Sequence, residues 1–136
     1  MELKNMLVGL ENLKVRGNLD IEIKGIAKNS NEVEPGYIFV AIKGFSEDGH
    51  DYIEKAIENG AIAIMLEEGT DLKKLKINDE TIIVMVKNTR EGLAIMSSNF
   101  YGEPSKKFKL IGITGTKGKT TTAYMIKEIL QKAGKK

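Results

Sequence analysis

The stretch GYIFVAIKGFSEDGHDYIEKAIENGAIAIML, residues 36–66, decides the fold. It opens on an apolar, β-forming run from Tyr37 to Ile42 and closes on another from Ala61 to Leu66. Neither run alternates with polar residues. A strand that is apolar at every position is covered on both faces, which indicates a parallel sheet rather than a hairpin. Between the runs lie a polar loop, Lys43 to Gly49, and a segment from Asp51 to Asn59 that places Ile53, Ala56 and Ile57 on one helical face. Gly60 stands where a left-handed cap would end that helix. Parallel strands need a long crossover between them, and a helix is the usual one.

The same pattern continues outward. TIIVMV (Thr81 to Val86) reads as a third buried strand, reached through a charged connection at Gly69–Lys76 that holds one helical turn. Asn88 to Tyr101 reads as a helix on Leu93, Ile95, Met96 and Phe100. Upstream, Leu3, Met6, Leu7 and Leu10 have helical spacing within Met1–Glu11, and Leu19, Ile21, Ile23 and Ile26 alternate like a strand. Pro35-Gly36 is turn chemistry. Downstream, GEPSKK (Gly102 to Lys107) is a linker, FKLIGIT (Phe108 to Thr114) a fourth strand, and Lys119 to Lys132 a helix. The expected architecture is α/β: residues 1–103 form one domain whose mostly parallel or mixed sheet is covered by helices. Residues 104–136 supply a linker and one strand–loop–helix unit.

Composition excludes several functions. With 136 residues, 41% apolar and 29% charged, the chain suits an ordinary soluble globular protein. Its net charge of +2 gives no broad basic face, so no nucleic-acid partner is expected. It contains no cysteine and one histidine, which excludes disulfides and thiolate metal sites and argues against a histidine-based zinc site. No apolar run approaches the roughly 20 residues of a membrane span, and Met1–Val15 lacks the features of a signal peptide. A cytoplasmic location and small-molecule partners are expected.

GITGTKGKTTT, residues 112–122, carries the chemistry. Phosphate binding needs backbone N–H groups converging on an anion at the positive end of a helix. Glycine lets the chain wrap that closely. A following lysine reaches the β- and γ-phosphates, and the next hydroxyl ligates Mg²⁺. Gly115, Thr116, Lys117, Gly118, Lys119, Thr120 and Thr121 meet these needs between an apolar strand and an amphipathic helix. The usual spacing, G-x-x-x-x-G-K-S/T, is not matched: five places before Gly118 stands Ile113. Lys117 either adds charge toward phosphate or is solvated.

The residues together resemble the Mur ligase family, whose phosphate loop runs G-x-x-G-T-x-G-K-T and accounts for the displaced glycine. The N-terminal part is similar too. Ser30, Pro35-Gly36, Phe39-Val40-Ala41, Gly44, Asp48-Gly49-His50, Ala56 and Gly60-Ala61 follow the first-domain pattern of the branches that add the third amino acid or the terminal dipeptide to the muramyl peptide. TGTKGKTTT is more similar to the branch adding the third residue. The chain departs from the family at Asn29-Ser30-Asn31, where the pattern is Asp-Ser-Arg.

The resemblance implies an ATP-dependent amide-bond-forming ligase of peptidoglycan precursor synthesis. The γ-phosphate passes to a substrate carboxylate, and the amino group of the incoming amino acid attacks the acyl phosphate. It assigns Lys119 to the phosphates as the catalytic residue, Thr120 to Mg²⁺, and Ser30, Gly44, Phe45 and Ser46 to the UDP end of the muramyl substrate. It also implies that residues 104–136 begin an ATPase domain, whose remainder, with a further C-terminal domain, lies outside this chain. The polypeptide alone is then expected to be inactive and to bind ATP weakly. His50 reads as a capping or packing residue, and Arg90 and Glu91 as solvated. A non-catalytic UDP-sugar-binding module, and an unrelated small phosphate-loop protein that completes its site by dimerising, remain alternatives.

Overall fold

The computed structural model describes residues 1–108 and 111–135. They fall into two compact units, Met1–Glu103 and Pro104–Lys136. In the first unit, β1 (Lys14–Arg16), β2 (Gly25–Ala27), β3 (Tyr37–Val40), β4 (Ala61–Glu67) and β5 (Ile82–Val86) form one sheet in the order β1-β5-β4-β3-β2. Strands β2 through β5 pair in parallel, and β1 closes one edge antiparallel to β5. The helices of this unit are α1 (Leu3–Met6), α2 (Ile53–Glu58) and α3 (Thr89–Phe100).

The continuous apolar runs are explained by two cores, one on each face. Successive strand residues point to opposite faces. Ile38 and Val40 of β3, Ala63 and Met65 of β4, and Ile82, Val84 and Val86 of β5 join Leu3, Met6 and Met96 from α1 and α3. The alternate residues Phe39, Ala41, Ile64, Leu66 and Ile83 join Ile53 and Ala56 of α2. The β3–β4 crossover carries α2, as the sequence predicts. The β4–β5 crossover has only a 3-10 turn, Leu72–Lys74, and covers its side of the second core with Leu72, Leu75 and Ile77. Gly60 follows α2 at φ +103°, and a Cβ there would lie 2.8 Å from the Cα of Pro35, so only glycine fits.

Two N-terminal expectations are corrected. The first helix stops at Met6, and Gly9 follows in a left-handed conformation. The strand expected over Leu19–Ile26 reaches the sheet only at Gly25–Ala27. Its earlier part pairs with the N-terminus instead, through Leu3 N–H to Ile21 O (2.9 Å), Lys4 N–H to Leu19 O (3.1 Å) and Ile23 N–H to Met1 O (2.8 Å). Short-range alternation shows that a segment is extended but not which backbone it pairs with.

The second unit contains a 3-10 turn, Pro104–Lys106, and one helix, α4 (Lys119–Lys132). The fourth strand expected over Phe108–Thr114 is not formed at residues 111–114, and Lys109 and Leu110 lie outside the described residues. A strand exists by pairing its backbone, and residues 111–114 have no ladder partner among the described residues. No residue of α4 is buried. Its Ala123, Ile126 and Leu130 border a groove with Ile111 and Ile113, while Tyr124, Met125 and Ile129 border a separate one.

Candidate functional site

Ligands of open α/β sheets bind outside the carboxyl ends of the strands. Here the segments that follow β2 and β3 border a cleft of about 530 Å³, lined by Lys28, Ser30, Asn31, Gly44, Ser46 and Tyr52 among others. Three of the four residues expected at a substrate site, Ser30, Gly44 and Ser46, are brought together on it. The fourth, Phe45, sits fully exposed between the latter two and does not border the cleft.

One rim is built on Asn29. Its side-chain oxygen accepts from the Asn31 backbone N–H at 3.1 Å and caps the 3-10 turn Ser30–Glu32. That cap needs an acceptor oxygen, which asparagine supplies as aspartate would. Ser30 is 4% exposed, and its carbonyl accepts from the Asn59 side-chain amide at 2.8 Å, tying the turn to the end of α2. Asn31 is exposed on the rim and brings no positive charge there.

The other rim is the excursion Lys43–Asp48. Lys43 and Asp48 form an isolated antiparallel bridge, the Gly44 N–H donates to Glu47 O at 2.8 Å, and the Gly49 N–H donates to Ile42 O at 2.9 Å. A Cβ on Gly49 would lie 2.6 Å from the backbone nitrogen and oxygen of Ile42. The histidine follows. His50 Nδ1 lies 2.6 Å from Asp48 Oδ1, and His50 Nε2 accepts from the Glu67 backbone N–H at 3.2 Å. Because Nε2 accepts, Nδ1 carries the proton and donates to Asp48. The His50 backbone N–H, with the ring, holds the Asp48 carboxyl below the ordinary carboxylate range. The reading of His50 as a packing residue therefore extends to a specific bonded role. Arg90 is exposed, in line with its reading as solvated, and its Nη2 in addition donates to Lys43 O at 3.0 Å. Nothing in the sequence signals that contact, which joins residues 47 positions apart.

In the second unit the loop before α4 has Gly118 at the N-cap in a left-handed conformation, φ 77°, with no side-chain cap. The first-turn N–H groups of α4 thus have no capping side chain, and they sit at the positive end of a helix. The Lys119 ammonium folds back onto the Gly115 carbonyl, closing the loop on itself. Thr116, Lys117, Thr120 and Thr121 are exposed around it. The backbone and lysine fit an oxyanion ligand such as a nucleotide's phosphates. For a metal ion, Thr120 offers one hydroxyl, and no cluster of acidic or imidazole side chains among the described residues could complete a site. No helix among those residues is long and apolar enough to cross a membrane.

A family model described as "Mur ligase family, catalytic domain" matches residues 22–101. The chain is 43% identical over 134 residues to the UDP-N-acetylmuramoyl-L-alanyl-D-glutamate–2,6-diaminopimelate ligase of Clostridium perfringens, covering 98% of this chain and 27% of the relative. It is 47% identical over 136 residues to the ligase of the same description from Clostridium botulinum, covering all of this chain and 28% of the relative. The chain thus spans little more than a quarter of the length of these curated relatives. Among solved structures, MurF from Acinetobacter baumannii superposes with a TM-score of 0.70 at 26% identity, over 96% of this chain and 27% of that one. MurF from Thermotoga maritima, in complex with ADP, gives 0.55 at 36% identity over 79% and 23%.

Proposed function

The chain belongs to the Mur ligase family, and we propose that it is the N-terminal part of the ligase that adds the third amino acid, 2,6-diaminopimelate, to UDP-N-acetylmuramoyl-L-alanyl-D-glutamate. The observation that carries this reading is the 47% identity over all 136 residues to a relative of that description, which includes both the cleft segments and the glycine-rich loop. The MurF structures support the alternative, addition of the terminal dipeptide, at lower identity.

Residues 1–103 would serve as the domain for the UDP-muramyl substrate. Ser30, Gly44 and Ser46 would hold its nucleotide end at the cleft, with Phe45 available from the exposed tip. Residues 104–136 would begin the ATPase domain. There the N–H groups of Gly115, Thr116, Lys117, Gly118, Lys119, Thr120 and Thr121 would cradle the triphosphate. Lys119 would exchange its contact with the Gly115 carbonyl for the β- and γ-phosphates, and Thr120 would offer its hydroxyl to Mg²⁺. ATP and Mg²⁺, when bound, supply the phosphoryl group and the charge balance that make the substrate carboxyl an acyl phosphate. The role of this chain would be to bind and orient, with the first unit holding the sugar nucleotide and the second the phosphates. The adenine pocket, acidic metal ligands and amino-acid selector are expected in the part of the relatives that this chain does not span, so the chain alone is expected to have no ligase activity.

A chimera tests this. Residues 1–136 would replace the matching part of the Clostridium botulinum relative, and ligation of diaminopimelate would be followed with ATP. Activity is expected, with loss of about 10²-fold or more in kcat on Lys119→Ala. A folded chimera without activity, beside an active parent, would overturn the proposal.

A further inference from the structure

The cleft has one rim tied to α2 and one rim that is a loop excursion, so something must fix their separation. We propose that His50, with Arg90 on the opposite limb, is a positioning residue that holds the Gly44–Glu47 turn at the cleft, setting it for the nucleotide end of the substrate before binding. This rests on the reading of the cleft as the UDP-sugar site.

The bonds converge on both limbs of the excursion. On the returning limb, the His50 ring joins Asp48 at 2.6 Å to the Glu67 N–H at 3.2 Å, and the His50 backbone N–H meets the same Asp48 oxygen at 3.0 Å. Glu67 is the last residue of β4 and is itself held: its carbonyl accepts from the Thr70 hydroxyl at 2.7 Å, and Thr89 at the start of α3 is fully buried beside it, with its hydroxyl 3.5 Å from the Glu67 carboxylate. On the outgoing limb, Arg90 reaches from α3 to the Lys43 carbonyl. The excursion is thus fastened to the carboxyl end of β4 and the amino end of α3, both elements of the core. The His50 side chain is only 13% exposed, and both ring nitrogens are engaged. The ring cannot act as a base or a metal ligand without releasing the clasp. Pre-setting a binding loop removes the ordering cost that binding would otherwise carry.

The test uses the 136-residue chain, with UDP as the probe. Long-range ¹H–¹⁵N correlation of the His50 ring should show Nδ1 protonated and Nε2 bare at neutral pH. The Gly44 and Gly49 amides should exchange with solvent about tenfold faster or more in His50→Phe and in Arg90→Ala, while the Val84 amide keeps its rate. UDP affinity should fall about tenfold in both variants. The opposite tautomer, or unchanged exchange at both glycines, overturns the clasp. Faster exchange with unchanged UDP affinity overturns the positioning role. Failure of the unmodified chain to bind UDP instead contradicts the reading of the cleft, and the clasp is still judged by tautomer and exchange. If His50→Phe does not fold, Arg90→Ala and the ring spectrum decide.

Discussion

The two units of this chain carry their information in opposite ways. Residues 1–103 contain two packed cores and a cleft whose chemistry is faint in the sequence. Residues 104–136 contain the most explicit motif in the chain and no buried residue in their helix. A motif therefore marks expected chemistry without guaranteeing packing, and a packed sheet can border a cleft whose lining is read in the sequence only through family resemblance.

The largest effect that separates the two units is stability. Phe39 is 1% exposed in the second core, so Phe39→Ala should lose about 3–5 kcal/mol by urea denaturation. Ile129 on α4 is 66% exposed, and Ile129→Ala should stay within about 0.5 kcal/mol. Similar losses at both sites would show that α4 packs as well as the sheet does, and the contrast would fail.

A smaller effect sharpens the contrast inside the first unit. Gly49→Ala sets a methyl 2.6 Å from the Ile42 backbone, which cannot yield as a flexible side chain would. It should cost about 1–3 kcal/mol and shift the Gly44 and Ser46 amide resonances. A neutral substitution would mean that the excursion is not held closely to β3.

The smallest effect is a pH dependence. The folded carboxyl of Asp48 is lowered, first by the His50 backbone N–H and then by its ring. A lowered carboxylate stabilises the fold fully above the ordinary aspartate value of about 3.9, and that contribution is lost as pH falls through the lower folded value. Asp48→Asn should therefore lower Tm at pH 7, with a deficit that closes as pH falls below the ordinary aspartate value and through the lowered folded one. A deficit that is constant with pH would assign the effect to packing.

The sequence made the sheet legible because burial on both faces leaves every strand residue apolar, as in Ala61–Leu66. It made α2 legible through Ile53, Ala56 and Gly60. It hid β1, where Val15 alone turns inward among Lys14 and Arg16 and gives no period to read. It misdirected at Leu19–Ile23, whose alternation serves pairing with the N-terminus rather than the sheet. At Ile111–Thr114 the apolar run has no ladder partner among the described residues, and no strand forms there. In the site, Ser30, Gly44 and Ser46 were reachable through resemblance, and the cleft gathers them. The contacts made by Arg90, Asn59 and Glu67 were not, because each joins segments far apart in the chain through a single side chain or backbone N–H, and no local spacing encodes such a meeting.

The central claim is that the cleft of the first unit receives the nucleotide end of a muramyl substrate. The direct measurement is a titration of the ¹⁵N-labelled chain with UDP-N-acetylmuramoyl-L-alanyl-D-glutamate, followed through backbone amide shifts. The account predicts saturable shifts concentrated at Asn29–Asn31 and Gly44–Glu47, with Gly115–Thr121 unmoved. Shifts confined to the glycine-rich loop, or no saturable shift at either rim of the cleft, would contradict it.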